Sequence, residues 1–227
     1  MNEDGPFLGR NWQRGKVLRY LKTGQGQKLQ LVWFLRERHY ERFFEPIRCL
    51  FQADENEMGF GFSIMSLCCL LIETIACYRL GWPSSSAREL RQLEASPHNL
   101  NVPSLEFKLT GPFDSKDFSS EKAFISFFDE PQHRVHFPDL VGKGQEFYKS
   151  IRCGLLHQAQ TKDGWRIRIS GKCYDDGPDE KSINRYVFAP ALQNCFDSFL
   201  QQLENVEWDD PLWLSVRKKI WWLAATS

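Results

Sequence analysis

From Leu29 onward the apolar residues recur at helical spacing. Leu31, Phe34 and Leu35, then Phe43, Phe44, Ile47, Leu50 and Phe51, fall at i, i+3, i+4 and i+7 intervals, the stripe of an amphipathic helix. Pro46 lies inside that run and predicts a kink or two consecutive helices. A turn is expected over Gln52 to Glu57 and Gly59, followed by a helix from Phe60 to Leu80 that is apolar nearly all round (Phe62, Ile64, Met65, Leu67, Leu70, Leu71, Ile75), as a buried central helix is. Gly81 with Pro83 just beyond it supplies the stop signal. Residues 82–118, punctuated by Ser84-Ser85-Ser86, Pro97, Pro103 and Pro112, read as a loop-rich insertion with one short helix from Ala87 to Leu93.

Beyond the insertion, Ser119 to Phe128 predicts a short helix with Phe124, Phe127 and Phe128 on one face, and Pro131 and Pro138 bound a loop. Helix returns at about Gly144 and carries Phe147, Tyr148, Ile151, Leu155 and Leu156. After Gly164 the period changes to two. Trp165, Ile167 and Ile169 alternate with Arg166, Arg168 and Ser170, as in a half-buried strand. Tyr186 and Phe188 suggest a return strand after the loop Asp175-Asp176-Gly177-Pro178-Asp179, making residues 165–188 a small hairpin. A long helix is expected from about Ala189 (Leu192, Phe196, Phe199, Leu200, Leu203) and an amphipathic one over 210–223 (Leu212, Trp213, Val216, Ile220). The expected fold is therefore mainly all-α: a bundle of four to five core helices in a single domain, residues 29–227, with a small inserted β-hairpin. Residues 1–28 form a basic N-terminal arm (Arg10, Arg14, Lys16, Arg19, Lys22, Lys28), irregular around a short Val17–Leu21 segment. Such an arm suits either RNA contact or a loosely docked terminus.

Composition changes this picture in three places. Lys and Arg together balance Asp and Glu at 29 each, so no global field draws in nucleic acid or an acidic membrane, and any nucleic-acid site is a local patch. Seven cysteines (Cys49, Cys68, Cys69, Cys77, Cys153, Cys173, Cys195) form an odd set without a CxxC pair, unlike a disulfide framework or zinc ribbon. Four sit in apolar helical contexts, and the Cys68-Cys69 pair reads as core packing. The N-terminus lacks the apolar run of a signal peptide, and Ile64 to Ala76 is too short and too interrupted to span a bilayer. A reducing cytoplasmic location without membrane attachment is the expectation. Aromatic residues at 14% point to interface surface.

The stretch richest in chemistry is Phe147-Tyr148-Lys149-Ser150-Ile151-Arg152-Cys153-Gly154-Leu155-Leu156-His157-Gln158. A cation and an imidazole sit near the end of an otherwise apolar helix. Five residues at about 100° each leave them about 140° apart, a gap that a long arginine partly wraps. Two copies of the helix at a two-fold axis would gather two arginines and two histidines in one cleft.

This R-x4-6-H pattern, late in a helix of an all-α bundle, resembles the HEPN superfamily (higher eukaryotes and prokaryotes nucleotide-binding), and in particular bacterial HEPN-like proteins of unassigned function. The long helix from Ile64 to Leu80, with Glu73, looks like the family's second bundle helix, and the resemblance covers residues 30–80 and 120–205. It implies a homodimer through the motif helix and, in active members, a metal-independent endoribonuclease that uses no cofactor. His157 would then be acid or base on the 2′-hydroxyl or leaving oxygen, and Arg152 would hold the scissile phosphate. It further implies a defence or toxin-type role with an antitoxin partner. Where many active members carry Asn, Asp or His after the arginine, this chain has Cys153, a poor hydrogen-bond donor. That departure motivates a second expectation, a catalytically inactive module that binds RNA or nucleotide. A third is an α-helical interaction protein working through its aromatic surface.

Weaker signals complete the reading. Arg166 and Arg168, with Lys172, line the solvent face of the predicted strand and would extend an RNA-binding surface, or simply solvate it. His133 and His136 lie between prolines and are expected to be exposed and non-ligating. Glu73 either orients a motif side chain or is a buried carboxylate with a local partner. Trp213, Trp221 and Trp222 with Arg217, Lys218 and Lys219 read as a bundle cap or dimer contact, although on paper they resemble a membrane-surface helix. Walker A, GxGxxG, HExxH and nucleophile-elbow motifs are absent.

Overall fold

The computed structural model describes residues 6–54, 59–83, 119–178 and 180–225. The helix expected over Ala87 to Leu93, and nearly all of the proposed insertion, lie outside the described residues. The fold is mainly α with small β elements. The chain groups into two compact units, each drawn from separate stretches of sequence: residues 1–41, 77–119 and 200–227 in the first, and 42–76 and 120–199 in the second.

In the first unit the N-terminal segment is folded rather than irregular. Strands β1 (Phe7–Gly9) and β2 (Trp12–Gln13) pair antiparallel, and helix α1 (Arg14–Thr23) follows directly. Burial explains the difference. Leu8, Trp12, Val17 and Leu21 all point into the core among the basic residues, and Lys16 lies over the Trp12 ring at 4.5 Å. Arg38, on α2 (Lys28–His39), donates to the Leu8 carbonyl. The last helix, running Pro211–Ala225, is capped by Asp210, whose Oδ1 accepts the Leu212 N–H at 2.7 Å. Trp213, Val216 and Ile220 are buried, and Trp213 Nε1 donates to the Leu203 carbonyl at 2.7 Å, so this face packs inside the protein.

In the second unit the expected break at Pro46 becomes a π-turn, Tyr40–Phe44, followed by helix α3 (Glu45–Ala53). Pro46 is the second residue of α3, and Phe44 before it is already helical (φ −73°, ψ −40°), so the chain accommodates the missing N–H by widening the preceding turn without breaking the helix. Helix α4 (Gly61–Leu80) ends at Gly81, which adopts φ 67°. It is the one described helix long and apolar enough to cross a membrane, with mean hydropathy 1.7, and 67% of that window is buried inside the protein. Helix α5 (Ser120–Asp129) presents Phe124, Phe127 and Phe128 to a ring cluster completed by Phe137, Phe147 and Phe188. Phe147 stacks on Phe124 and on Phe188, with centroids 5.5 Å apart in each pair. The phenylalanines of this unit thus fill a core more than they form surface.

Pro131–Arg134 forms a short helix, α6, and it corrects the expectation for His133. The ring is buried against Phe127, 4.2 Å between centroids, with Nδ1 2.7 Å from the Phe127 carbonyl oxygen; His136 is half-buried. The two do not form an exposed pair.

The expected hairpin is also corrected. Strands β3 (Arg166–Arg168), β4 (Tyr174–Asp176) and β5 (Lys181–Asn184) form a three-stranded sheet in the order β3-β5-β4, with β3 parallel and β4 antiparallel to β5. Asp175 and Asp176 belong to β4, not to a loop, because Lys181 stands opposite Asp176 across the ladder and Lys143 pairs with the same carboxylate. Tyr186 and Phe188 lie in the next helix. That helix spans Arg185–Asn205, starting four residues before the expected Ala189 with Pro190 inside it. Asn184 supplies the start signal, its Oδ1 accepting the Tyr186 N–H at 3.0 Å.

Close packing in the second unit requires one glycine in particular. A Cβ on Gly144 would lie 2.6 Å from the Ile125 Cα and 2.8 Å from the Phe124 carbonyl oxygen, both backbone atoms of α5. Gly144→Ala is therefore expected to destabilise the protein by about 1–3 kcal/mol through overpacking. Urea denaturation of the variant beside wild type measures this, and an unchanged midpoint would contradict the packing described.

Candidate functional site

The motif helix is interrupted where the candidate residues sit. Helix α7 (Gly144–Phe147) widens into a π-turn over Tyr148–Arg152 and continues as α8 (Cys153–Gln158). Such π-turns are rare and are found disproportionately at functional sites. Arg152 is the last residue of this one. Ala159 then leaves the helix in the left-handed region, φ 51°, and the chain folds back over its own helix. The Lys162 N–H reaches the Ser150 carbonyl at 2.8 Å, Ser150 Oγ donates to Asp163 Oδ2 at 2.7 Å, and the Gln160 carbonyl packs where a Cβ on Gly154 would be.

Arg152 and His157, expected on flanking sides of the helix, meet. Arg152 Nη1 lies 3.3 Å from His157 Nε2. The length of the arginine closes the angular gap, and a partner from another helix steers it. Glu73, on α4, accepts from Arg152 Nε at 2.5 Å, in a pair whose side chains are only 14% and 11% exposed. The Tyr148 ring lies 5.6 Å from the guanidinium carbon. Glu73 is thus a buried carboxylate whose partner is the motif arginine. Spacing alone does not single out Tyr148, although as an aromatic four residues before Arg152 it shares a helix face with it.

Electrostatics follow from this packing. Burial works against the Arg152 charge, but the hydrogen-bonded Glu73 carboxylate outweighs it and carries the arginine above its ordinary value. Burial first, then the neighbouring Cys153 thiol, push the Tyr148 phenol up to about 12 against the pull of Arg152. On α4, burial drives the Cys68 and Cys69 thiols well above the ordinary range, in keeping with core packing. Burial, with Asp139 nearby, pushes Cys173 up to about 12.

The two strand arginines differ. Arg168 is committed to Glu180, with Nε at 2.8 Å and Nη2 at 2.7 Å from Oε1. Lys172 lies 3.9 Å from Asp175. Arg166 is exposed and makes no ion pair with a described residue. It lines a surface cavity of about 220 Å³ with Asp163, Gly164, Pro178, Glu180 and Lys181, a mixed rather than uniformly basic lining. Among the described residues no hydrogen bond or ion pair joins Arg166 or Arg168 to Arg152 or His157. No protein-family model, curated protein or solved structure matches this chain.

The raised thiol and phenol values have a signed consequence. Cys173 and Tyr148 both sit near 12 when folded, above ordinary values of 9.0 and 10.0. Between those limits the unfolded chain loses protons that the folded chain keeps, so stability present below pH 9 falls as the pH rises toward 12. Denaturation midpoints across that range should decline, and Tyr148→Phe should flatten the part of the decline above pH 10. Parallel curves for variant and wild type would contradict the burial of this phenol.

Proposed function

We propose that this protein is a HEPN-like endoribonuclease that cuts RNA without a metal ion. The observation that carries the reading is the direct approach of Arg152 to His157, 3.3 Å apart, with Glu73 anchoring the arginine from a second helix. Phosphodiester cleavage by an internal 2′-hydroxyl needs a base for that hydroxyl and a cation for the charge that develops on phosphorus-bound oxygen. An exposed imidazole and a planar guanidinium within one hydrogen-bond length are suited to both tasks. In this reading His157 takes the 2′-hydroxyl proton, the 2′-oxygen bonds to phosphorus, and the bond from phosphorus to the 5′-oxygen breaks. Arg152 holds a non-bridging oxygen throughout. The leaving oxygen takes its proton from the imidazole of a second copy, in a homodimer through the motif helix. Arg166 extends the RNA path, whereas Arg168 contributes only by exchanging Glu180 for phosphate.

A reducing cytoplasmic setting is supported by seven free cysteines, four of them buried thiols on helices. The resemblance extends the reading to a defence or toxin-type response with an antitoxin partner. One observation favours a second function, an inactive module that binds RNA or nucleotide. Glu73 already compensates the charge of Arg152, and the side chain after it is a thiol instead of a strong donor.

The test is cleavage of an end-labelled RNA in EDTA by wild type and His157→Ala purified side by side. Wild-type cutting, lost by at least about 100-fold in the variant, is the expected result. Equal cutting by both would remove His157 from the chemistry. Binding without cutting by either would leave the inactive module.

A further inference from the structure

We infer that Arg152 masks the lone pair of His157, that Glu73 is the positioning residue holding it there, and that an incoming phosphate group unmasks the imidazole by taking the arginine's hydrogens. The inference deepens the ribonuclease reading by naming how the same site is regulated.

The direction of the contact is fixed by chemistry. A guanidinium has only donors, so Nη1 at 3.3 Å from Nε2 is attractive only if Nε2 carries its lone pair. A neutral His157 must then hold its proton on Nδ1. The nitrogen that would act as base therefore faces a cation and is covered by it. The arrangement is held from behind, since Glu73 takes Nε at 2.5 Å and the Tyr148 ring lies against the guanidinium. Both restrict how far the group can turn. Nη2 makes no hydrogen bond to a described residue, and His157 is exposed, so an anion approaches from the histidine side toward the Nη1–Nη2 edge. That edge fits two phosphate oxygens at once, and hydrogen bonds to a charged acceptor are roughly twice as strong as those to a neutral one. The exchange from imidazole to phosphate is therefore downhill. It needs no backbone movement, because Glu73 keeps Nε while the far end of the guanidinium changes partner. Without an anion the base stays covered; with one seated, base and phosphate become available together.

The experiment is a long-range proton–nitrogen correlation spectrum of the histidine rings in the full-length ¹⁵N-labelled protein, His157 being assigned by the signals missing from His157→Gln. The probe is inorganic phosphate, with sodium chloride at matched ionic strength as control. The expected result is an Nδ1–H tautomer with an acceptor-type Nε2 signal that phosphate shifts saturably and chloride does not. Glu73→Gln keeps an acceptor for Nε but removes a negative charge, so the same shift should need less phosphate. The double variant Glu73→Gln with Arg152→Met leaves no buried charge behind and should lose both the tautomer preference and the phosphate response. A proton on Nε2 in wild type, or a His157 spectrum unchanged in the double variant, overturns the masking. RNA left uncut by a protein that shows the masked tautomer and its release overturns the ribonuclease reading alone.

Discussion

A single buried carboxylate organises the second unit. Asp54 is fully buried at the side chain and Arg185 is 8% exposed; Asp54 Oδ2 accepts from Arg185 Nε at 2.8 Å and also from Nη2. Its other oxygen accepts the Phe60 N–H at 3.2 Å. Three chain segments are joined through one residue: the end of α3, the start of α4, and the first turn of the helix that follows β5. Taking two charges out of water costs several kcal/mol per ion, and only good geometry with the remaining lone pairs satisfied repays it. Such a pair adds little stability over a well-packed apolar substitute, but losing one partner leaves an uncompensated buried charge at a cost of about 3–5 kcal/mol. Its effect is to restrict which arrangement of these segments is tolerable. The arginine also packs against Gly61, where a Cβ would lie 3.3 Å from Nη1, so the start of α4 is held close beneath it.

The same device recurs two helical turns before the end of α4. Glu73 and Arg152 form a second largely buried pair within this unit, but here one end is open: His157 is exposed and Nη2 is uncommitted among the described residues. Asp54–Arg185 is buried at both side chains and so holds segments together. Glu73–Arg152 leaves donors over, so its arginine can serve as a structural tie at Nε and as an anion contact at its far edge. The π-turn and the doubling-back of Ala159 to Asp163 belong to the same construction. They keep the helix carrying Arg152 under a short clamp made by Ser150, Gly154 and Asp163.

Much of the helical framework was legible in the sequence because its cause is local. The apolar period of Leu31 to Phe51, the all-round apolar α4 and the one-sided phenylalanines of α5 each report their own burial. Gly81 marks an end by permitting a positive φ, and prolines mark theirs by restricting φ and removing a donor. The Arg152–His157 pair was legible as a motif for the same reason, both residues lying on one short helix. What failed were assignments resting on partners elsewhere. Tyr186 and Phe188 look like a strand by residue type, but Asn184 caps a helix there. Lys181-Ser182-Ile183-Asn184 carries little strand signal, yet it becomes the central strand because β3 and β4 pair with it from both sides. His133 lies between prolines like a loop residue, but it is drawn inside by the Phe127 ring and carbonyl.

The sequence by itself determined a mainly helical chain, the order of its principal helices and the presence of an arginine and a histidine near the end of one of them. Tertiary structure decided what those two residues face. Glu73 is 79 positions from Arg152 in the chain, and no periodicity relates them. Only the packing of α4 against the motif helix brings the carboxylate within hydrogen-bond distance and turns the guanidinium toward the imidazole. Charge pairing across such separations depends on three-dimensional placement and on the exclusion of water around it, and neither is written in local spacing.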